Sequence, residues 1–306
     1  MRYGYFDDAR REYVITNPRL PVKWINYIGT LGFGGFVDHT GGGVICKGDP
    51  ALNRITFYVI QLPASSFNGE TLYLRFKRGQ ETKSFSPFYV PTLDPYERFE
   101  CHIGLGYTRF ITEFYHIRSD VTVFVPLAKP APGSQACVIR DMRFTNLGAE
   151  PLELDAIPVV EYSHPDALKQ LTNADWVPQT MQSQAVVQAG GCTVLVQYPF
   201  MLRDTCINYF TSNLPASSYD TERRTFLGEN EYRTWANPAG LENLELSNSL
   251  ARRGSNIAAL MHHLGELEPG EERRLVTLLG QESSLDAAQA PMSRFRVITE
   301  VDKVQV

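Results

Sequence analysis

The chain has 306 residues, 43% hydrophobic and 21% charged, enough for one large β domain or two ordinary ones with a sizeable core. A net charge of −5 with no basic stripe argues against nucleic acid, because phosphate neutralisation needs clustered Lys and Arg. The charged, aromatic opening MRYGYFDDARREY has no apolar signal core, and no stretch approaches the roughly 20 apolar residues of a membrane span. A cytoplasmic protein that meets no membrane is therefore expected. The five cysteines form no CxxC pair, and their odd number suits reduced, mostly buried thiols.

Glycines come first along the chain, at Gly32, Gly34, Gly35 and Gly41 to Gly43. They match neither GxxxxGK[ST] nor GxGxxG and precede no helix, so they predict tight turns or close backbone approach rather than a nucleotide loop. RITFYVIQL (54–62) and TLYLRFKR (71–78) alternate apolar and polar residues around Asn68-Gly69, which predicts a hairpin. GYTRFITEFYHI (106–117) with DVTVFVPL (120–127) reads as a second pair. CVIRDMRFTNL (137–147) with PLELDAIPVVEY (151–162), joined at Gly148, reads as a third. MQSQAVVQ, TVLVQYPF, INYFTSN and NIAALMHHL follow, then a polar turn ending in PGE, then RRLVTLLG. The strands recur without βα alternation, and no Pro/Gly/Ser-rich linker divides them. An all-β fold is predicted, a large two-sheet antiparallel super-sandwich over 1–280, followed by the start of a helical linker over 281–306.

Familiar chemistries find little support. There is no GxSxG elbow, and no His partner is evident for any cysteine. His262 and His263 are adjacent, so in a strand they face opposite ways and do not share a metal ion. Glu100, Glu113, Glu161, Asp166 and Asp175 are candidate carboxylates, but spacing alone does not pair them as glycosidase chemistry requires. One segment breaks the strand pattern with a polar loop of about fifteen residues, between Glu161 and Gln179. It carries His164, Asp166, Lys169, Gln170, Asn173, Asp175 and Trp176. A Trp among amides and carboxylates offers a sugar a stacking face and hydrogen bonds. The plainer alternative is a connector whose Trp176 packs on the sheet.

The opening runs, Arg2 to Asp8, Arg11 to Thr16 and Trp24 to Gly29, resemble the N-terminus of glycoside hydrolase family 94. That family contains the cellobiose, chitobiose, cellodextrin and laminaribiose phosphorylases. HIGLGYTRF, VTVFVPL, VIRDMRFTN, VVEYS and EPGEERRLVTLLGQ resemble its later strands, in order over nearly the whole chain. At 40–50 the chain reads TGGGVICKGDP, where many members have AGGYSFY near the acceptor end.

The resemblance implies a galactose-mutarotase-like sandwich that precedes a helical linker and an (α/α)6 catalytic barrel, which would lie beyond residue 306. It implies a glycosyltransferase-class parent, an inverting phosphorylase acting on an oligosaccharide and inorganic phosphate, with no metal or organic cofactor. This chain alone would be inactive, carrying no catalytic residue. Its partners would be the catalytic domain and a second subunit, in a homodimer whose sandwich loops border the neighbour's active site. Residues 163–179 match such a loop, so His164, Asp166, Lys169, Gln170, Asn173 and Trp176 are the expected sugar contacts. Two rival readings are a stand-alone carbohydrate-binding or assembly module and a mutarotase-type epimerase. The latter would need His102, His263 and Glu161 to converge.

Overall fold

The computed structural model describes residues 3–59, 67–126, 136–172, 176–199, 206–230 and 233–305. The largest sheet runs β1 (Gly4–Asp7), β2 (Glu12–Ile15), β8 (Arg98–Gly104), β9 (Tyr107–Phe114), β10 (Ile117–Phe124), β11 (Cys137–Asn146), β18 (Glu272–Glu282), β15 (Ile207–Ser212), β14 (Thr193–Pro199), β13 (Met181–Val187). A second sheet runs β16 (Ser218–Glu222), β17 (Asn256–Leu267), β12 (Leu152–Glu161), β6 (Glu70–Arg78), β7 (Glu81–Phe85). A third holds only β3 (Ile25–Gly29), β4 (Gly34–Asp38) and β5 (Gly43–Cys46). These strands pair antiparallel throughout. The expected super-sandwich is present. The small third sheet is an addition to the two predicted.

Alternation explains the layering. Val121, Val123, Met142 and Phe144 of the ten-stranded sheet meet Leu72, Leu74, Phe76 and Leu154 of the five-stranded one. Each such buried side chain contributes about 1.5–3 kcal/mol. The intervening residues of the large sheet are also apolar, because that face is covered too. Ile139, Val276 and Leu278 pack under the helices Leu285–Phe295 and Ile298–Asp302, through Ala288, Met292 and Val301. Ser284 starts the first helix, its Oγ accepting the Ala287 N–H at 3.2 Å. The outer face of the five-stranded sheet is covered by Phe226 and Leu246, from the segment after β16.

Two strand pairings differ from those expected, and one hairpin turns at a different place. Residues 54–59 form only isolated bridges, Cys46↔Arg54 and Thr56↔Tyr162, and 60–62 lie outside the described residues. β6 pairs instead with β7 and β12. The second hairpin exists, but it turns at Tyr115 and His116, whose φ values are 53° and 58°. CVIRDMRFTNL and PLELDAIPVVEY are strands but not a hairpin, since β11 lies in the large sheet and β12 in the five-stranded one. The turn after β11 crosses the sandwich, as does the PGE turn between β17 and β18. Alternation reports which face of a strand is buried, and that pattern is the same for either neighbour.

The glycines serve close packing, as expected. A Cβ on Gly35 would lie 1.8 Å from the Val44 carbonyl oxygen, and one on Gly41, at φ +101°, would lie 2.4 Å from the Phe88 ring.

His262 and His263 do face opposite ways. His262 is buried against the Pro215 carbonyl, while His263 sits between two carboxylates. Its Nδ1 is 2.6 Å from Asp155 Oδ1 and its Nε2 is 2.8 Å from Glu245 Oε1. Burial opposes a charge on this ring, but its hydrogen bonds to both carboxylates outweigh it and raise the His263 pKa. Burial also works against the Glu245 charge, yet hydrogen bonds from Ser218, His263 and Ser217 bring its pKa down to about 2. A raised histidine pKa stabilises fully below the unfolded value of about 6.5, and that contribution disappears as pH rises through the folded pKa. The Tm difference between wild type and His263→Ala should therefore shrink from pH 6 towards alkaline pH. A difference constant with pH would show that the contact does not depend on charge.

Candidate functional site

β12 ends at Glu161, whose carboxylate is buried at the edge of the covered outer face. Arg223 opens the helix Arg223–Leu227 after β16, and its Nη1 donates to Glu161 Oε1 at 3.0 Å. Burial raises the Glu161 pKa, and Arg223 only partly counters it. Beyond Glu161 the chain stays tied down. Ser163 N–H donates to the Ile55 carbonyl, Arg54 N–H to that of Pro165 and Ala167 N–H to that of Ala51.

The loop expected over 163–179 is partly helical. Asp166 Oδ1 accepts the Lys169 N–H at 2.8 Å, an N-cap for the helix Ala167–Thr172. A 3-10 turn covers Val177–Thr180. Gln170 folds back, its Oε1 accepting Ser163 Oγ–H at 2.9 Å and His164 N–H at 2.6 Å. His164 Nδ1 accepts the Asp166 N–H at 3.0 Å, and burial lowers the ring's pKa, keeping it neutral. Beneath this segment lies a cavity of about 270 Å³, lined by His164, Gln170, Glu161, Arg223, Gln197 and Phe57 among others.

The predicted residues thus do not converge on one place. His164 and Gln170 line the cavity, and Asp166 serves the backbone. Lys169 is exposed, and Trp176 is 53% exposed rather than packed inside the sandwich. Asn173 and Asp175 lie outside the described residues.

Arg223 and Gln197 were not anticipated, and Glu161 was not paired with either. They come from three separate places in the sequence, and only Gln197, a polar residue in the apolar run TVLVQYPF, gave a local hint. Of the other candidate carboxylates, Glu100 and Glu113 are structural. Arg98 bridges Glu100 and Glu113, and His102 lies between Glu12 and Glu100. His102, His263 and Glu161 have separate partners, and His102 is in a different sheet from the other two.

A solved structure provisionally assigned as a kojibiose phosphorylase from the human microbiome superposes with a TM-score of 0.51 at 11% identity, over 99% of this chain and 37% of its own. That likeness concerns the fold alone. In sequence, N,N'-diacetylchitobiose phosphorylase of Vibrio furnissii is 31% identical over 285 residues, 92% of this chain and 33% of that protein. The 3-O-beta-D-glucopyranosyl-beta-D-glucuronide phosphorylase of Paenibacillus borealis is 28% identical, over 93% of this chain and 34% of that protein. The chain therefore spans about a third of the length of these relatives. Residues 11–297 match the family model described as glycosyl hydrolase 94, supersandwich domain. The chain belongs to this family, in which it is the supersandwich domain.

Proposed function

We propose that this domain serves an inverting disaccharide phosphorylase, supporting its dimer and bordering the acceptor side of the neighbouring subunit's active site through residues 163–179. The observation that carries this is Trp176, half exposed, on the same segment as an exposed Lys169, with the start of that segment pinned by backbone hydrogen bonds. The phosphorylase relatives, three times longer than the matched region, support a catalytic portion beyond a linker that starts near residue 281. In the reaction a phosphate oxygen attacks the anomeric carbon and the glycosidic C–O bond breaks with inversion. One general acid from the catalytic portion protonates the leaving oxygen. Phosphate is already an anionic nucleophile, so the second carboxylate of a hydrolase is not needed. The reading includes no metal or organic cofactor, and it places the protein in the cytoplasm.

In the full-length enzyme, Trp176→Ala and Asn173→Ala should each raise the acceptor KM about tenfold, with a smaller effect on phosphate. The expected loss is a stacking face and one or two hydrogen bonds, on the order of 1–3 kcal/mol. Unchanged acceptor kinetics in both variants would reduce the segment to a connector.

A further inference from the structure

Four amides form a relay across the inner face of the large sheet and end at the cavity. Asn53 and Gln281 pair through two hydrogen bonds of 2.7 and 2.8 Å. Gln281 Nε2 donates to Asn208 Oδ1 at 2.9 Å, and Asn208 Nδ2 to Gln197 Oε1 at 2.7 Å. Gln197 is 1% exposed, and its Nε2 has no partner among the described residues. A buried amide donor left unmade costs free energy, and its hydrogen-bonded neighbours polarise it and hold it in place. A relay that spans three strands to fix one amide side chain of the cavity wall, its own donor left unmade, is poorly explained by packing alone.

The groups around that donor define a ligand class. His164 Nδ1 lies 3.0 Å from the Asp166 amide nitrogen and 3.3 Å from its carbonyl oxygen, so the neutral ring contributes a donor or an acceptor according to its tautomer. Glu161 offers a carboxylate, and its charge is already matched by Arg223. Near neutrality with mixed donors and acceptors favours neither an anion nor a cation. It suits hydroxyl groups, each of which donates and accepts. Phe57 and Met181 supply apolar wall. A second cavity of about 480 Å³ shares Phe57, Glu161 and Arg223 with the first. It is floored by Trp235, stacked on Phe67 with ring centroids 4.0 Å apart.

We propose that the two cavities form one saccharide site belonging to the domain itself, holding two neutral sugar rings on either side of the Glu161–Arg223 pair. Polar contacts fix one ring beside Gln197, and the second lies against Trp235. The inference goes beyond the acceptor-loop reading, because it needs neither the catalytic portion nor the exposed face of residues 163–179.

The test is a calorimetric titration of the 306-residue chain with D-glucose, cellobiose, N-acetyl-D-glucosamine, N,N'-diacetylchitobiose and inorganic phosphate. At least one disaccharide should bind saturably, about tenfold tighter than its monosaccharide. Gln197→Met should weaken both about tenfold, the loss expected for one buried hydrogen bond. Trp235→Ala should abolish only the disaccharide's advantage. Should Gln197→Met fail to fold, Glu161→Gln, which keeps the side chain's shape, carries the same expectation. Absence of saturable sugar binding, binding of phosphate in preference to sugar, or affinities unchanged in folded variants each overturn the proposal. The titration uses no catalytic portion, so its failure leaves the acceptor KM experiment intact, and the reverse also holds.

Discussion

Replacing Arg140 by Met should destabilise the protein by about 3–5 kcal/mol, while the double variant Glu70→Leu with Arg140→Met should recover most of that loss. Arg140 on β11 and Glu70 on β6 link the two large sheets through a bond of 2.5 Å, with side chains 6% and 4% exposed. Burial raises the Glu70 pKa, and Arg140 holds it back. Removing only the guanidinium strands a buried carboxylate without the cation that pairs with it. Removing both leaves an apolar gap beside Phe88, over whose ring Arg140 lies at 5.2 Å. The pair is also imperfectly satisfied, since Glu70 Oε1 and Arg140 Nε have no partner among the described residues. Urea unfolding of the two variants decides the matter. A double variant as unstable as the single one would show that shape, not charge, matters at this position.

The 306-residue chain by itself should release no sugar 1-phosphate from cellobiose, laminaribiose or N,N'-diacetylchitobiose above a protein-free control. A leaving-group acid needs a raised pKa and access to substrate. Glu282 meets the first condition. Burial lifts its pKa to about 7 against the pull of Lys47, 3.9 Å away. It fails the second, being 2% exposed at the end of β18. Glu161 has a raised pKa as well, but it is held by Arg223. Enzymes typically accelerate reactions by about 10⁶-fold or more, so a real activity would be unmistakable. Phosphorolysis abolished by Glu282→Gln or Glu161→Gln would overturn the expectation.

The sequence was read well where a pattern is local. The strands predicted over 137–147 and 151–162 run Cys137–Asn146 and Leu152–Glu161, and the PGE turn sits where β17 gives way to β18. Partners were less legible, because Leu154 and Met142 face the same core from opposite sheets and alternate in the same way. The turn at Tyr115 and His116 was missed since neither residue is a usual choice for positive φ. His164 and Gln170 stood out as polar residues in a loop, and both reach the cavity. The rest of that cavity is assembled by pairings distant in sequence. Gln197 and Arg223 carry no mark that would associate them with Glu161 before the sheets are built.

The two sheet-crossing turns have a consequence for how the chain reaches this state. β11 pairs with β18 and β12 with β17, so Cys137 finds Gly280 and Glu161 finds Ile257 only after a long excursion of chain. Neighbouring strands in the sequence thus wait, each in its own sheet, for a second pair that arrives together near the end. Such non-local closure gives a high contact order and slow folding, because loop entropy is lost before the contacts reward it. On the ribosome, one edge of β11 and one edge of β12 stay unpaired until residues 256–282 have emerged.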